Sequence, residues 1–292
     1  MLIIDKPAGW TSFDVVGFVR RQSGVRRVGH AGTLDPAATG VLPLCLGQAT
    51  RLIEYLVDTT KTYVAEVTLG IVTDSYDADG EVLSRSDASY ITRSAIEEAV
   101  ASFRGEFEQT PPSFSAIKRA GVPLYKLARR GEAIRAPPRR VRVDRLDIMS
   151  FEPPLLRLEV ECSKGFYVRS LAHDLGASLG VGGMLSSLVR TRVGAFHIEA
   201  AVGIGCLTSE FEGGVWQERL YAPDEVLLDW QAAIVSDMNA KRLRNGLPVD
   251  VTSGGGGAPA DRCRAYTGDG SFLAVLRRVD RSSWHPDKVF DL

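Results

Sequence analysis

The sequence predicts an α+β fold in which a mixed, largely antiparallel central sheet is flanked by helices and loops, with a small β-rich domain at the C-terminus. Segments with the two-residue alternation of strands and segments with helix caps follow one another without a regular βαβ rhythm. A chain of 292 residues has room for about two domains. We therefore place a main domain at 1–225 and a smaller domain at 229–292.

Each predicted element has a local signal. Thr11 or Ser12 can cap a helix that stops at Gly24, and Ser94 has capping-box spacing to Glu97 for a helix that ends near residue 105. Three more helices are predicted from apolar periodicity, at 48–56, 168–179 and 239–245. Strands are predicted where apolar residues alternate or run together, at 2–4, 41–46, 62–69, 156–162, 264–267 and 272–279.

Composition excludes several classes of protein. Apolar residues make up 45% of the chain and charged residues 24%, which is ordinary for a soluble globular protein. No apolar run approaches the roughly 20 residues of a membrane span, and the first residues lack the features of a secretion signal. We expect a cytoplasmic protein. Cys45, Cys162, Cys206 and Cys263 lack zinc-site or disulfide spacing, so buried thiols are predicted.

Positive charge is concentrated in the segment 118–145. Ten lysines and arginines in it are opposed only by Glu132 and Asp144, which gives the segment a formal charge of +8 on a chain whose net charge is −1. A solvated basic face would explain this run. The nearby aromatic side chains of Phe114 and Tyr125 indicate a nucleic-acid-binding surface instead.

An acidic turn is predicted at 74–80. Asp77, Asp79 and Gly80 match part of an EF-hand calcium loop, but Ser86 stands where the loop requires a bidentate glutamate. The match therefore fails, and no calcium site is expected.

Residues 27–40 carry the most chemical information. His30, Thr33 and Asp35 lie within six residues, in a segment that contains three glycines and a proline. Helices disfavour these residues and central strands exclude proline, so an ordered loop is predicted. Ordered loops often hold functional groups. Taken alone, an aspartate before a proline is equally typical of a turn.

Several segments together resemble the TruB family of tRNA pseudouridine-55 synthases. They are LIIDKPAGWTS at 2–12, GHAGTLDP at 29–36, KTY at 61–63 and CSKGFYVRSL at 162–171. The order and spacing of these segments make the resemblance specific over residues 1–193. Residues 243–249, LRNGLPV, resemble the start of a PUA domain, a small RNA-binding module.

The resemblance implies a pseudouridine synthase fold and a reaction that exchanges one glycosidic bond for another. The C1′–N1 bond of uridine breaks and a C1′–C5 bond forms, without a cofactor and without a metal. Asp35 is implied as the nucleophile or base, and Tyr63 as the aromatic platform under the uracil. Arg169 is implied beside Asp35, where a guanidinium keeps a carboxylate ionised by lowering its pKa.

The resemblance also assigns residues to RNA binding. His30 is expected to fill the space that flipped bases leave, and Lys6 to support the active loop or to contact the RNA backbone. Tyr167 and Leu188 are further substrate-binding positions. The segment 118–145 corresponds to an inserted, mobile element that grips RNA, and its members Arg139, Arg140 and Arg142 are expected to bind phosphates.

The implied partner is the T-stem-loop of tRNA, bound by a monomer with no obligate protein partner. Three alternatives stay open at this point. The chain could be an RNA-guided pseudouridine synthase subunit, or a non-catalytic protein that binds or folds tRNA. A hydrolase with a carboxylate nucleophile is the third, although no second acid stands at a matched position.

Overall fold

The computed structural model describes residues 1–115, 117–119, 121–124, 136–251, 261–280 and 283–291. Its α+β architecture contains one large sheet, a smaller C-terminal sheet and two short hairpins. Part of the basic segment lies outside the described ranges: Tyr125 and Glu132, named above, and four of its ten basic residues, Lys126, Arg129, Arg130 and Arg135.

The described strands are numbered in chain order. They are β1 Leu2–Lys6, β2 Val28–His30, β3 Thr39–Leu46, β4 Lys61–Leu69, β5 Ile71–Thr73, β6 Val82–Arg85, β7 Gly105–Gln109, β8 Lys118–Arg119, β9 Val122–Pro123, β10 Arg139–Glu152, β11 Leu155–Cys162, β12 Gly183–Val193, β13 Phe196–His197, β14 Val202–Gly203, β15 Gln231–Ile234, β16 Val249–Asp250, β17 Arg262–Tyr266, β18 Phe272–Arg278 and β19 Ser283–Val289.

The described helices fall between these strands. The α-helices are α1 Ser12–Ser23, α2 Ile53–Asp58, α3 Arg93–Ala101, α4 Val168–Ser178, α5 Ile204–Gly213 and α6 Asp237–Arg244. Short 3₁₀ helices occupy Gly47–Leu52, Ile198–Ala200, Trp216–Arg219 and Pro223–Leu227.

The large sheet is mixed and mostly antiparallel, as predicted. Its strand order is β14-β1-β3-β12-β4-β11-β10-β7, with β2 paired to β3 and β13 paired to β12. Only the β1–β14 and β3–β12 pairs among its described strands are parallel. The β3–β12 pair brings the end of the Asp35 loop next to residues from the far end of the main domain.

Apolar side chains cover both faces of the sheet. On one face, α3 and α4 pack on β4, β10 and β11 through a core that includes Ile96, Val143, Leu158, Leu171 and Leu175. On β1 and β3, alternate residues point to opposite faces, so one set packs on α1 and α5 and the other on the region of α2. The loop that follows β2 therefore rests on a fully packed scaffold.

The C-terminal sheet has the order β15-β17-β18-β19-β16. It packs on α2 through an apolar cluster that includes Tyr55, Leu227 and Phe290. The Tyr55 hydroxyl donates to the Asp287 carboxylate at 2.9 Å across this contact. A β-rich C-terminal region is confirmed, whereas its boundary at 225–229 and its likeness to a PUA domain stay predictions.

Some predicted boundaries are wrong for identifiable reasons. Thr92, not Ser94, caps α3, because the Thr92 hydroxyl accepts from the Ala95 N–H at 3.2 Å while Ser94 is already helical. The predicted helix at 48–56 is a 3₁₀ helix followed by α2. Cys206 is exposed, in contrast to the three other cysteines, which are buried as predicted.

The predicted loop at 27–40 is shorter than expected. Its two ends extend the sheet, because Val28–His30 pairs with residues 44–46 of β3 and Thr39–Leu46 already forms β3 itself. The irregular segment between the two strands is residues 31–38, which we call the Asp35 loop.

Candidate active site

The Asp35 loop has a backbone that other parts of the main domain fix in place. Gly40, just after the loop, has φ +99°, and a Cβ there would lie 2.2 Å from the Arg190 carbonyl oxygen of β12. Only glycine permits that approach at that φ. At the other end, the Ala31 N–H donates to the Pro43 carbonyl at 3.0 Å. The loop therefore leaves and rejoins the sheet at fixed points.

Two buried cations hold the loop through its carbonyl groups. The Lys6 side chain is fully buried, and its ammonium donates to the carbonyls of Pro7, Trp10 and Pro36 at 2.7–3.1 Å. Burial lowers the pKa of Lys6 to about 8. The three carbonyl contacts and the burial of Lys6 fit the first of its two expected roles, support of the loop.

Arg190 is the second buried cation. Its guanidinium donates to the carbonyls of Val41 at 2.8 Å and Gly32 at 3.0 Å, and only 1% of the residue is exposed. These two carbonyls flank the loop on either side of Asp35. Arg190 thus fixes the distance between the two sides of the Asp35 loop.

Helix α1 is also tied to the loop. The Ser12 hydroxyl accepts from the Leu34 N–H at 2.9 Å and donates to the Leu34 carbonyl at 3.2 Å. Thr11 and Asp14 form a reciprocal capping box at the start of the same helix. The residue before Asp35 is therefore anchored to a capped helix end.

Arg169 reaches Asp35 from the first turn of α4. Its Nε lies 3.0 Å from Asp35 Oδ2, and its Nη1 lies 3.4 Å from Asp77 Oδ2. The same guanidinium donates to the carbonyls of Ser75 at 3.2 Å and Phe114 at 2.9 Å. The Arg169 side chain is 7% exposed and that of Asp35 is 44% exposed. Arg169 is thus a buried cation with several hydrogen-bond partners, and it holds the Asp35 carboxylate at a position that solvent partly reaches.

The pKa of the Asp35 carboxyl is raised above its ordinary value. Burial is the main cause, and the nearby carboxylates of Asp77 and Asp79 add to it. Arg169 and, more weakly, Lys6 oppose the rise. The expected lowering by Arg169 is therefore present but outweighed, because the carboxyl loses water and has two like charges nearby.

The backbone of Tyr167 is clamped just before α4. The Gln109 side-chain amide accepts from the Tyr167 N–H at 2.8 Å and donates to the Tyr167 carbonyl at 3.0 Å. Ser170 donates to the carbonyl of Thr110, the residue that follows β7, at 2.8 Å. These contacts set where α4 begins and so where Arg169 points.

Tyr63 and Leu188 lie on neighbouring strands on the core face of the sheet. Tyr63 of β4 is opposite Arg190 of β12, and Leu188 is opposite Ala65. Burial raises the pKa of the Tyr63 phenol, and the charge of Asp35 raises it further, although Arg190 lowers it. Asp35 also acts on the raised pKa of Tyr167. Both phenols therefore lie within electrostatic range of Asp35.

His30 ends β2 directly before the loop. Its Nδ1 is buried, with no hydrogen-bond partner among the described residues. Its ring meets the ring of Phe13 edge to face, with centroids 5.3 Å apart. Burial and the charge of Arg190 lower the pKa of His30, so the ring is neutral near neutral pH.

The described end of the basic segment lies in a strand of the large sheet. Arg139, Arg140 and Arg142 belong to β10, a strand of the large sheet that pairs with β7 and β11. Arg140 forms an ion pair with Glu106, and the Arg142 Nε lies 2.9 Å from Asp144 Oδ1. The charge count missed the Arg140–Glu106 pair, because sheet pairing supplies that acid from outside the segment.

Alternation along β10 separates Arg139 from its two neighbours. Arg139 shares a face with the buried Val141 and Val143, which is the core face that carries Tyr63, while Arg140 points to the opposite face. Arg139 also lowers the raised pKa of Tyr167 through its charge. Of the three arginines, Arg139 is the one directed toward the Asp35 site.

Sequence reasoning missed four residues of this site. Asp77 was assigned to an acidic turn, and Ser12 to a cap, without a link to Asp35. Gln109 carries no signal, because its contacts are to backbone groups. Arg190 carries no clear signal, because it stands in the mixed stretch LVRTRV at 188–193, and only its burial on a central strand shows that it must find partners inside the protein.

Two features of the described residues bear on other functions. No group of three or more histidine, cysteine, aspartate or glutamate side chains there could hold a metal ion. None of the described helices combines the length and apolar character that crossing a membrane requires.

Known structures share this fold. A Cbf5-Nop10-Gar1 complex contains a chain that superposes with a TM-score of 0.76 at 24% identity, over 99% of this chain and 83% of that one. An H/ACA RNP bound to a substrate RNA containing 2′-deoxyuridine gives a TM-score of 0.76 at 22% identity, over 100% and 84% of the two chains.

The class of protein follows from this fold, from the Asp35 site and from two family models. The model for the TruB family pseudouridylate synthase N-terminal domain matches residues 20–168, and the model for the tRNA pseudouridylate synthase B C-terminal domain matches residues 169–233. This chain is a pseudouridine synthase, and therefore an isomerase. More narrowly, it belongs to the TruB family, as the motifs indicated.

Curated relatives agree over most of the chain. A tRNA pseudouridine synthase B of Dehalococcoides mccartyi strain 195 is 41% identical over 290 residues, which cover 99% of this chain and 96% of the relative. That of Symbiobacterium thermophilum is 47% identical over 249 residues, or 84% and 81% of the two chains. Membership of this enzyme family removes the non-catalytic and hydrolase alternatives.

Proposed function

We propose that this enzyme converts uridine 55 in the T-loop of tRNA to pseudouridine without a guide RNA. The relatives at 41–47% identity are named for tRNA, whereas the RNA–protein assemblies share only 22–24% identity. The single observation that carries the chemistry is the Asp35 carboxylate, partly accessible and held at 3.0 Å by the buried Arg169.

The reaction is an isomerisation whose atoms balance within the uridine. The C1′–N1 bond breaks, the base turns, and C5 bonds to C1′, so that C5 loses a proton and N1 gains one. Asp35 is the one ionised group of the Asp35 loop and serves as the nucleophile or base. Three routes use this carboxylate: attack at C1′, addition to C6, and removal of the C2′ proton.

Arg169 serves this chemistry by keeping Asp35 oriented and ionised. Without the guanidinium, burial and the Asp77 carboxylate would favour the protonated form of Asp35. The two carbonyl contacts of Arg169 fix the side chain independently of Asp35. The ion pair is therefore formed before substrate arrives.

Tyr63 and Leu188 provide the surface against which the uracil lies. Both side chains are partly buried and pack on the core that supports α4. A phenol ring on a rigid strand can hold a detached base by stacking while it turns. Tyr167 completes the site from the start of α4.

The uridine has to leave the RNA stack to reach Asp35. Unstacking and unpairing cost a few kcal/mol, which stacking on protein and phosphate contacts can offset. His30 is proposed to occupy the space left in the RNA, since its neutral ring lies at the edge of the Asp35 loop. Lys6 takes no part in RNA contact, because it is buried.

Phosphate binding is proposed to be local. The net charge of −1 gives no general attraction for RNA, and the outer arginines of β10 are ion-paired. Among Arg139, Arg140 and Arg142, Arg139 is the one that faces the site, so it replaces the triplet of arginines as the proposed contact. The C-terminal region 229–292 is proposed to bind RNA as a PUA-like domain.

The direct test is to incubate the purified protein with an unmodified T-stem-loop RNA and to map pseudouridine by chemical modification and primer extension. We expect one modified position, the T-loop uridine that corresponds to 55. An RNA with cytidine at that position is the control and should give no signal. Conversion that requires added guide RNA, or that occurs at another uridine, would contradict the proposal.

The proposed active unit is a single chain. Sedimentation of the protein at the concentration of the activity assay should show a monomer with full activity. Activity confined to a larger assembly would refute this part of the proposal.

A further inference from the structure

We infer that Phe13 is a further substrate-binding residue, whose exposed ring stacks on an unpaired base of the RNA loop beside the uridine that enters the Asp35 site. This inference rests on the proposed function, because it needs an RNA loop as substrate. It adds a contact that the motifs do not assign.

Phe13 has no part in the core. Its relative exposure is 74%, whereas its neighbours Ser12, Val15 and Val16 on α1 are buried. The apolar stripe of α1 therefore faces the sheet without Phe13. A single exposed apolar residue is ordinary on a protein surface. Exposure alone therefore indicates no function, and the inference depends on where Phe13 lies relative to the Asp35 loop.

The position of Phe13 is fixed relative to Asp35. Ser12, the preceding residue, exchanges two hydrogen bonds with Leu34, the residue before Asp35. The capping box of Thr11 and Asp14 holds the same turn of helix. Phe13 therefore stands on a rigid element at the rim of the Asp35 loop, and its place does not depend on a flexible segment.

Phe13 continues an aromatic surface that starts at His30. The two rings meet at an interplanar angle of 84°, with the edge of one against the face of the other. His30 is half-buried, whereas the ring of Phe13 stands out into solvent. Together they form an apolar, uncharged step beside the loop, since burial also keeps the His30 ring neutral at neutral pH.

An unstacked nucleobase is the ligand that fits this step. A flat, uncharged aromatic ring has nothing to offer a phosphate, but it binds the face of any base. When the target uridine is turned out, a neighbouring base loses its stacking partner. Stacking on Phe13 replaces that lost contact.

The test measures binding of the T-stem-loop RNA in an Asp35→Asn background, where turnover does not change the ligand. Phe13→Leu keeps an apolar side chain but removes the ring, whereas Phe13→Tyr and Phe13→Trp keep a ring. We expect Phe13→Leu to raise the dissociation constant about tenfold and both aromatic variants to stay within about twofold of Phe13. Because Phe13 is exposed, the melting temperature should move by about 2 °C or less.

Two results would overturn the inference. Equal affinity of the Phe13→Leu and Phe13 proteins would show that no base stacks there, and equal weakening by all three substitutions would show that the ring itself is not what binds. Conversion of the same RNA by the protein with Asp35 intact is measured alongside. Failure of that conversion refutes the proposed function. Successful conversion together with unchanged RNA affinity of the Phe13→Leu protein refutes only this inference.

Discussion

Arginines from other elements hold the Asp35 loop, and arginines also line strand β10, but they act in opposite ways in the two places. Around the loop, Arg169 and Arg190 are buried and donate to backbone carbonyls. On β10, Arg140 and Arg142 are exposed and pair with carboxylates. A buried cation on carbonyls fixes a backbone and keeps its charge available, whereas an exposed ion pair contributes about 0–1 kcal/mol and cancels its own charge.

This difference explains how a chain of nearly zero net charge can build a charged site. Because the Arg169 guanidinium is buried, water screens little of its attraction for the Asp35 carboxylate. The arginines of β10, although more numerous in sequence, offer a phosphate little beyond Arg139. The placement of the cations, and not their number, distinguishes the two regions.

Removal of Arg169 should have the largest effect. Arg169→Met leaves the Asp35 and Asp77 carboxylates facing each other without their cation, so we expect the single-turnover rate to fall by a factor on the order of 100 or more. The free energy of unfolding should fall by about 3 kcal/mol. Arg169→Lys keeps the charge but loses the forked guanidinium. Its rate and its free energy of unfolding should therefore lie between those of Arg169→Met and those of the unchanged protein. An unchanged rate in a folded Arg169→Met protein would refute the role of the ion pair.

Lys6 should matter for stability more than any exposed lysine. Lys6→Met leaves three carbonyls without their donor, and we expect the free energy of unfolding in urea to fall by about 3 kcal/mol. The control is Lys164→Met, which removes a surface ion pair to Asp58 and should cost about 0–1 kcal/mol. Equal losses in the two variants would show that burial of Lys6 does not distinguish it.

Arg139 and Arg140 are adjacent on β10, and they allow a proposed RNA contact to be compared directly with an ion-paired arginine. Arg139→Ala should weaken RNA binding and reduce the slope of log affinity against log salt by about 1. Arg140→Ala should leave the affinity within about twofold, because Arg140 lies on the opposite face and is paired with Glu106. Filter binding at several salt concentrations measures both. Equal effects, or the reverse order, would contradict the assignment of Arg139.

The smallest effect is expected from Asp79. Burial and nearby carboxylates raise the pKa of Asp35, so activity that needs the ionised form should be lost as the pH falls through that raised value. Asp79→Asn removes one of these negative charges while the Arg169 contacts stay in place. We expect the acidic limb of the rate profile to move to lower pH, with the same rate on the plateau. If the acidic limb of the Asp79→Asn profile stays in place, the charge of Asp79 does not affect the titration of Asp35.

The sequence singled out the proposed reactive residues better than the residues that hold them. His30, Asp35, Tyr63 and Arg169 stand in contiguous motifs. In the structure Arg169 contacts Asp35, Tyr63 lies within electrostatic range of Asp35, and His30 directly precedes the loop. Ser12 and Gln109 act through backbone groups, which many residue types can do, so no pattern marks them. Lys6 could be assigned to support or to RNA contact only once its burial was known.

The strands of the sheet were also unequally predictable. β4 and β11 alternate cleanly, because one face packs on the core throughout. β12 pairs on both edges and contains register shifts at 185–187 and 190–192, which interrupt the alternation. β10 has similar shifts and carries the arginines that made it look like an insertion. Long-range pairing, which no local pattern encodes, decided both.

The most direct test of the account is to measure rate and affinity together for Asp35→Asn. The carboxylate is expected to do the chemistry, while phosphate and stacking contacts elsewhere bind the RNA. We therefore predict no detectable pseudouridine in a single-turnover assay, with the dissociation constant for the T-stem-loop RNA within about tenfold of that of the unchanged protein. Turnover by Asp35→Asn at a comparable rate would contradict the central claim.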